Sequence, residues 1–289
     1  MKTKSRPELI RPPAPRQLQK SGSLSNDAWR RRMIAGLLRG QRPDGSFGVH
    51  PYSKWTGAHW RLVSLVELGV RRNSAAARAA AGTDLDWIAT RAEPLVITGK
   101  ERRHASIEGN ALAVSCRLGM ARDERVRGLV EVLLRSQWAD GGWNCDREPQ
   151  AHRSSFHESL APIWGLVEYH RETGDERARK AARRGVELLL EHRLFRSITT
   201  GKVIDYEWRR IHWPHYWHYD FFQGLRVVGR FGLIGDPRAE EAVQMLISLR
   251  RSDGTWHAAG RRYWRTDTEA VNWGDARQIV TPAALTVLQ

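Results

Sequence analysis

Cysteine is nearly absent. Cys116 and Cys145 are the only two in 289 residues, too few for the disulfide framework that staples small secreted domains. No apolar run approaches the roughly 20 residues of a membrane-spanning helix, and residues 1–10 lack the apolar core of a secretion signal. Strand-like alternation is missing too, apart from a short extended pair expected near Ile198–Tyr206. These gaps point away from a disulfide-stapled, helical-membrane or all-β protein and towards a cytoplasmic, helical one. With 41% hydrophobic and 27% charged residues, the chain can bury a substantial core.

Acidic residues are also short, 32 against 47 basic ones, for a net charge of +15. Residues 1–25 hold six basic side chains against Glu8 alone, a net +5 that leaves +10 on the body. Their four prolines and low apolar content predict a disordered basic arm, suited to peripheral contact with an acidic membrane surface. The body's charge favours a small anionic partner; the plain alternative is an arginine-rich surface with acids interspersed. No cluster matches a nucleic-acid-binding motif.

What the chain has in plenty is tryptophan, 13 residues of it, and part of that supply belongs to one turn written three times. The copies are Gln41-Arg42-Pro43-Asp44-Gly45-Ser46-Phe47, Gln137-Trp138-Ala139-Asp140-Gly141-Gly142-Trp143 and Arg250-Arg251-Ser252-Asp253-Gly254-Thr255-Trp256. Asp-Gly supplies a residue that tolerates positive φ, so the chain reverses there. The aromatic three residues after the Asp is expected to fold back onto the helix just left, and the Gln to reach that helix's bare carbonyls. A helix precedes each copy and another follows, a repeat that means stacked hairpins.

Reading onward gives five such hairpins. Asn26 is expected to cap a first helix, which ends near Gly40; the next runs from Lys54 to Leu68. Ser74–Thr90, Ser106–Leu118 and Asp123–Gln137 follow. Ser155 with Glu158 forms a capping box for a helix that Pro162 should kink. Asp175 opens a helix to Leu194, Pro214 one to Phe231, Asp236 one to Leu249, and Asp275 the last. First helices are amphipathic and second helices apolar nearly all round, which places the latter inside. The predicted fold is all-α: an α/α toroid over residues 26–289, incomplete or closed, with inner and outer helix layers.

The turn resembles the repeated Gln-x-x-Asp-Gly-x-Trp motif of squalene–hopene cyclases, which recurs more loosely in protein prenyltransferase β-subunits. That resemblance implies a central cavity reached from the N-termini of the inner helices. The chemistry motifs of those families are absent. No Asp-x-Asp-Asp exists, and the nearest string, Asp84-Leu85-Asp86-Trp87, falls on an outer helix. There is no Asp-Asp-x-x-Asp, and no Asp-x-Cys for zinc. Cys145 with His152 and His157 matches no zinc spacing, so neither metal nor cofactor is expected.

The inner-helix N-termini nonetheless carry an unusual set of side chains. They are Trp55, His59 and Trp60; His104, Glu108 and Asn110; His157 and Glu158; His215, Tyr216, Trp217, His218, Tyr219 and Asp220; and Trp273 and Asp275. A purely structural repeat needs only caps there, so the convergence favours a cavity. On a helix Tyr216 and Asp220 would share a face, as would His215 and Tyr219; packing of these aromatics against the preceding loop is the competing explanation. Glu158 is expected to serve Ser155 as its capping partner.

Three readings follow. The first is a terpenoid-cyclase- or prenyltransferase-like enzyme acting on an apolar, isoprenoid or anionic-headed substrate in an aromatic-lined cavity. Aromatic faces would steady cationic intermediates, with Asp220, His215 and His218 as acid and base and His157 and Glu108 as orienting groups. The second is a carbohydrate hydrolase or lyase using carboxylates such as Glu108 and Asp220. The third is a non-catalytic toroid that binds a lipid or a protein.

Overall fold

The computed structural model describes residues 23–91, 93–259, 270–274 and 276–289. Asp275 and the basic arm as far as residue 22 lie outside them. The elements are α1 (Ser23–Leu38), α2 (Ala58–Glu67), α3 (Ala75–Ala89), β1 (Leu95–Ile97), β2 (Lys100–Arg102), α4 (Ala105–Arg117), α5 (Glu124–Ser136), α6 (Phe156–Thr173), α7 (Glu176–Glu191), a short 3-10 turn at Tyr206–Arg209, α8 (Phe221–Gly229), α9 (Glu240–Ser248) and α10 (Arg277–Val287).

The helices form two layers. In α7 the small and apolar positions Ala178, Ala181, Ala182, Val186 and Leu189 recur every three or four residues and are buried, while its arginines face out. In α4 every residue from Ala105 to Cys116 is buried. Helices α2, α4, α6, α8 and α10 make the inner layer, each packed on the next, and α3, α5 and α7 lie side by side outside them. The ends of the circuit meet where α1 touches the segment before α10: a Cβ on Gly36 would lie 2.7 Å from Val271. This is an α/α toroid.

The tightest joint is between α4 and α6. A Cβ on Gly109 would fall 2.2 Å from the nitrogen of Pro162, a distance only glycine permits. Proline, having no N–H to pair, is tolerated where the backbones come this close.

The three turns close alike. Gln41 Nε2 donates to Gly45 O (3.1 Å) and to Ala76 O of α3 (2.8 Å), and Gln137 Nε2 does the same to Gly141 O (2.7 Å) and Ala181 O of α7 (2.8 Å). Arg250 Nε reaches Gly254 O at 3.3 Å. The glutamines therefore bridge to the next outer helix rather than capping the helix they leave. The aromatics do fold back: Trp143 Nε1 donates to Leu133 O (2.9 Å) and Trp256 Nε1 to Leu246 O (2.7 Å). Phe47 has no N–H to give. Arg61 stacks on its ring at 4.2 Å and supplies the missing bond to Leu37 O at 2.8 Å.

Five expectations need correction. Helix α1 begins at Ser23, so the last residues of the predicted arm belong to it. Helix α2 starts at Ala58 rather than Lys54, because Trp55 takes a positive φ of 69°. The connection 93–103 contains an antiparallel hairpin with Leu95 opposite Arg102; the extended pair expected at 198–206 is a single Arg196–Val203 bridge. Most consequentially, residues 214–220 are not helical. Tyr216 has φ 52° and α8 begins only at Phe221, so the i, i+4 faces proposed for Tyr216/Asp220 and His215/Tyr219 do not form. Among the described residues no helix is long and apolar enough to cross a membrane.

Candidate functional site

At the N-terminal rim of the inner helices the side chains sort into three neighbouring groups. The first is aromatic. Trp55, turned inward by its left-handed backbone, stacks on Tyr216 (centroids 4.5 Å apart) and on Trp217 (5.3 Å). Trp60 packs edge-on to Trp55 and donates its Nε1–H to Tyr52 O at 3.1 Å. Tyr52 bridges from Trp60 to Trp87 of α3. Trp217 stays partly exposed, with Lys54 5.1 Å above its ring. Beneath this cluster His59 is buried and paired with Asp84 of α3 at 3.0 Å.

The second group surrounds the start of α8. Asp220 is fully buried and serves as the N-cap: Oδ1 accepts from Gln223 N (2.9 Å), and Oδ2 accepts from His212 N (2.9 Å) and faces His212 Nδ1 (3.3 Å). Its imidazole partner is thus His212, which the sequence reading passed over, and not His215 or His218. His157 Nδ1 accepts from Tyr219 N at 2.9 Å. A neutral ring with that nitrogen occupied carries its proton on Nε2. The His157 and His218 rings lie 5.8 Å apart, and His218 packs 4.3 Å from Trp217. Burial holds His157 below the usual histidine range. Burial first, and then the neighbouring histidines and Lys54, push His218 down to about 3. Tyr219 is committed to structure, its hydroxyl donating to Leu194 O at 2.6 Å.

The third group joins the starts of α4 and α6. Glu158 follows Ser155, whose Oγ accepts from Glu158 N at 3.4 Å, but its carboxylate does not return the capping bond. Oε2 instead accepts from Ser106 N on α4 at 2.9 Å. Oε1 faces both His104 Nδ1 and Cys145 Sγ, each at 3.4 Å. The expected capping box is half formed because a neighbouring helix offers an unpaired N–H. Cys145 and Glu158 raise His104 to about 10. Glu108, one turn into α4, is held by Arg91 (2.9 Å) and Arg103 (2.8 Å). Beside these lies a recess of 260 Å³ lined by Arg91, Arg102, Arg103 and Arg147 with Glu93, His104 and Cys145. It adjoins the aromatic group: Arg91 sits 5.8 Å over Trp87, and the Tyr52 phenol is raised by burial and by Glu158.

Below the rim the described residues of four inner helices leave little space between them. The hollow between α2, α4, α6 and α8 has room for about one water, 20 Å³. Asn110 Nδ2 donates to Tyr216 O at 3.3 Å, while Asn110 Oδ1, His215 Nδ1 and Gln223 Nε2 point into that space unbonded. Burial lowers His215 to about 4.

The structure therefore brings together Trp55, Trp60, Tyr216 and Trp217; His157, His218, Tyr219 and Asp220; and His104 with Glu158. Trp273 lies apart, packed edge-on to Trp213 at 5.6 Å, and Asp275 is outside the described residues. Glu108 and Asp220 each serve a local bond, one to arginines and the other to a helix start. His152, weighed as a partner for Cys145, bonds Gln150 O on an exposed loop. Cys145 and the arginines of the recess were missed as site residues. One signal pointed to Cys145: it lies two residues beyond the turn aromatic Trp143, which bridges to Ser155 at the start of α6.

No protein-family model matches the chain, and no curated protein matches it significantly. Among solved structures it is similar to a point variant of the type II terpene cyclase MstE from Scytonema, in complex with its product merosterolic acid A. The identity is 12%, over 94% of this chain and 98% of that one, with a TM-score of 0.34. So loose a likeness carries no residue-by-residue correspondence.

Proposed function

We propose that this protein is an enzyme acting on an apolar substrate with an anionic head group, by proton transfer at the N-terminal rim of the toroid. The observation that carries this reading is the arginine-lined recess lying directly against an aromatic wall. The four guanidiniums of the recess, two of them also bonded to Glu108, suit a diphosphate or carboxylate, which arginine grips through paired N–H donors. The partly exposed Tyr52 and Trp217 offer π-faces to a hydrocarbon chain and to any cation formed along it, with buried Trp60 packed behind them. His218, packed on Trp217 and 5.8 Å from the His157 ring, is the base of this scheme. His157 donates from Nε2, its tautomer set by the Tyr219 amide. Asp220 supports the segment as cap and partner of His212.

Tryptophan fluorescence titrations with an isoprenoid diphosphate and the matching neutral alcohol test the reading. The diphosphate is expected to bind at least about tenfold tighter, a difference of about 1.4 kcal/mol. Arg147→Ala should erase most of that preference. His218→Ala should leave binding intact and abolish turnover. Equal affinities for diphosphate and alcohol would refute the reading. One observation favours a non-catalytic lipid-binding toroid instead: Trp55, Tyr216 and Trp217 spend much of their faces on one another. On that alternative the diphosphate binds but is recovered unchanged.

A further inference from the structure

We propose that His104, Cys145 and Glu158 form a binding site for a divalent transition metal of the zinc class, with one coordination position open to the arginine-lined recess. The sequence predicted no metal, since Cys145 with His152 and His157 matches no zinc spacing; His104 and Glu158 were not weighed beside it. The ligating atoms of His104, Cys145 and Glu158 nevertheless converge, all within 4.8 Å of one another. Cys145 Sγ and His104 Nδ1 each lie 3.4 Å from Glu158 Oε1. Zinc bonds of about 2.3 Å to sulfur and about 2.0–2.2 Å to nitrogen and oxygen, set at tetrahedral angles, give ligand-to-ligand edges of about 3.3–3.6 Å. Both edges to Glu158 Oε1 already match, and the third pair, Cys145 with His104, lies within 4.8 Å.

A nucleophilic triad is the competing use of the same three residues, and the geometry speaks against it. In a triad the imidazole sits between thiol and carboxylate, one ring nitrogen to each. Here the thiol and the imidazole Nδ1 meet at a single carboxylate oxygen. Three donors facing one point suit a cation.

The surroundings agree. Glu158 is buried, and the Ser106 amide fixes its second oxygen at 2.9 Å, the kind of outer bond that orients a ligating carboxylate. Thiolate, carboxylate and neutral imidazole together offset a divalent charge. Two guanidiniums of the recess, Arg91 and Arg103, are engaged by Glu108 at 2.9 and 2.8 Å. Mixed sulfur, nitrogen and oxygen donors select zinc-like metals over calcium or magnesium. His104 is exposed and Cys145 half-buried in the wall of the recess, so the ion has an entry path. Three protein ligands leave a fourth position for water or a substrate atom.

The inference does not depend on the function proposed above. Chelator-treated full-length protein titrated with Co²⁺ should bind one equivalent. It should then develop intense tetrahedral ligand-field bands with a thiolate-to-cobalt charge-transfer band, and Zn²⁺ should displace both. Cys145→Ser should remove the charge-transfer band and weaken affinity more than about 100-fold, beyond the 10–100-fold typical of outer-sphere losses. His104→Gln should weaken binding similarly while the sulfur band remains at saturating metal. Cys116→Ser, deep in α4, should change nothing. Glu158 also braces the start of α4, so the two accessible ligands carry the test. Weak octahedral bands, or a charge-transfer band that survives Cys145→Ser, would overturn the proposal. Loss of the diphosphate preference with the cobalt spectrum intact would sink the proposed function and leave the metal site standing.

Discussion

The two ends of the inner helices solve opposite problems with similar side chains. At the C-terminal end, charge is spent on holding the ring together. Arg226 of α8 donates to Glu67 of α2 across the toroid at 2.5 Å. Arg230 pairs with Glu168 of α6, which also accepts from Trp164 Nε1 at 3.2 Å. Arginine's pull, chiefly from Arg226, overcomes burial and brings Glu67 down to about 2. At the N-terminal end the arginines gather around a recess, and a thiol, an imidazole and a carboxylate share one point. The difference teaches where function can sit: a rim made of buried ion pairs is a brace, and one with convergent, accessible donors can receive a ligand.

Breaking the brace should have the largest effect. Arg226→Ala leaves the largely buried Glu67 carboxylate without its partner, and roughly 3 kcal/mol of stability should be lost, read as a shift of the urea unfolding midpoint. The double variant with Glu67→Ala should recover part of that loss. A full effect in the double variant would mean that packing, and not charge, braces this end.

Acid should act next, on both ends. His215 faces Glu67, Arg226 and Asp220, and burial keeps it neutral down to about 4 in the folded state. Unfolded, it takes a proton near its ordinary 6.5. Between those values the unfolded chain binds more protons, so stability falls as pH drops from 6.5 to about 4, by roughly 3 kcal/mol for this residue. His218 extends the loss towards 3. The Glu67 contribution has a lower window: its pKa is depressed, so it stabilises above 4.5 and is lost as pH falls to about 2. Urea midpoints should hold nearly level from pH 8 to about 6.5 and decline from there to pH 4, and His215→Gln should flatten that slope.

The smallest effect should come from the other rim. His104 is more than half exposed and solvent screens its contacts, so His104→Gln in metal-free protein should cost under about 1 kcal/mol. A loss as large as that of Arg226→Ala would make the His104 cluster a second brace and erase the contrast between the ends.

Much of the fold was legible because its signals are local. Ser155 and Asp175 cap helices where expected, since a cap needs only an amide two or three residues away; Asn26 instead falls inside α1, and α9 opens only at Glu240. The segment 214–220 was misread because Pro214 at a helix start satisfies every local rule. What holds it out of a helix is distant: Asp220 bonding back to His212, Tyr216 stacked on Trp55, and Tyr219 anchored to Leu194 and His157. The same holds for the site. His104 and Glu158 stood out as polar groups at the starts of inner helices, but local capping chemistry assigned Glu158 to Ser155. Only the packing of α4 against α6 offered it the Ser106 amide.

By itself the sequence determined the all-α helix pairs, the turns that join them and the helix faces that point inward. Periodicity and turn chemistry act over a few residues and are written in order along the chain. The tertiary structure alone decided which rim braces the ring and which gathers ligands, and it brought Cys145 to His104 and Glu158. Those outcomes depend on how closely neighbouring backbones approach, as at Gly109 and Pro162, and that distance is set by the packing of whole helices.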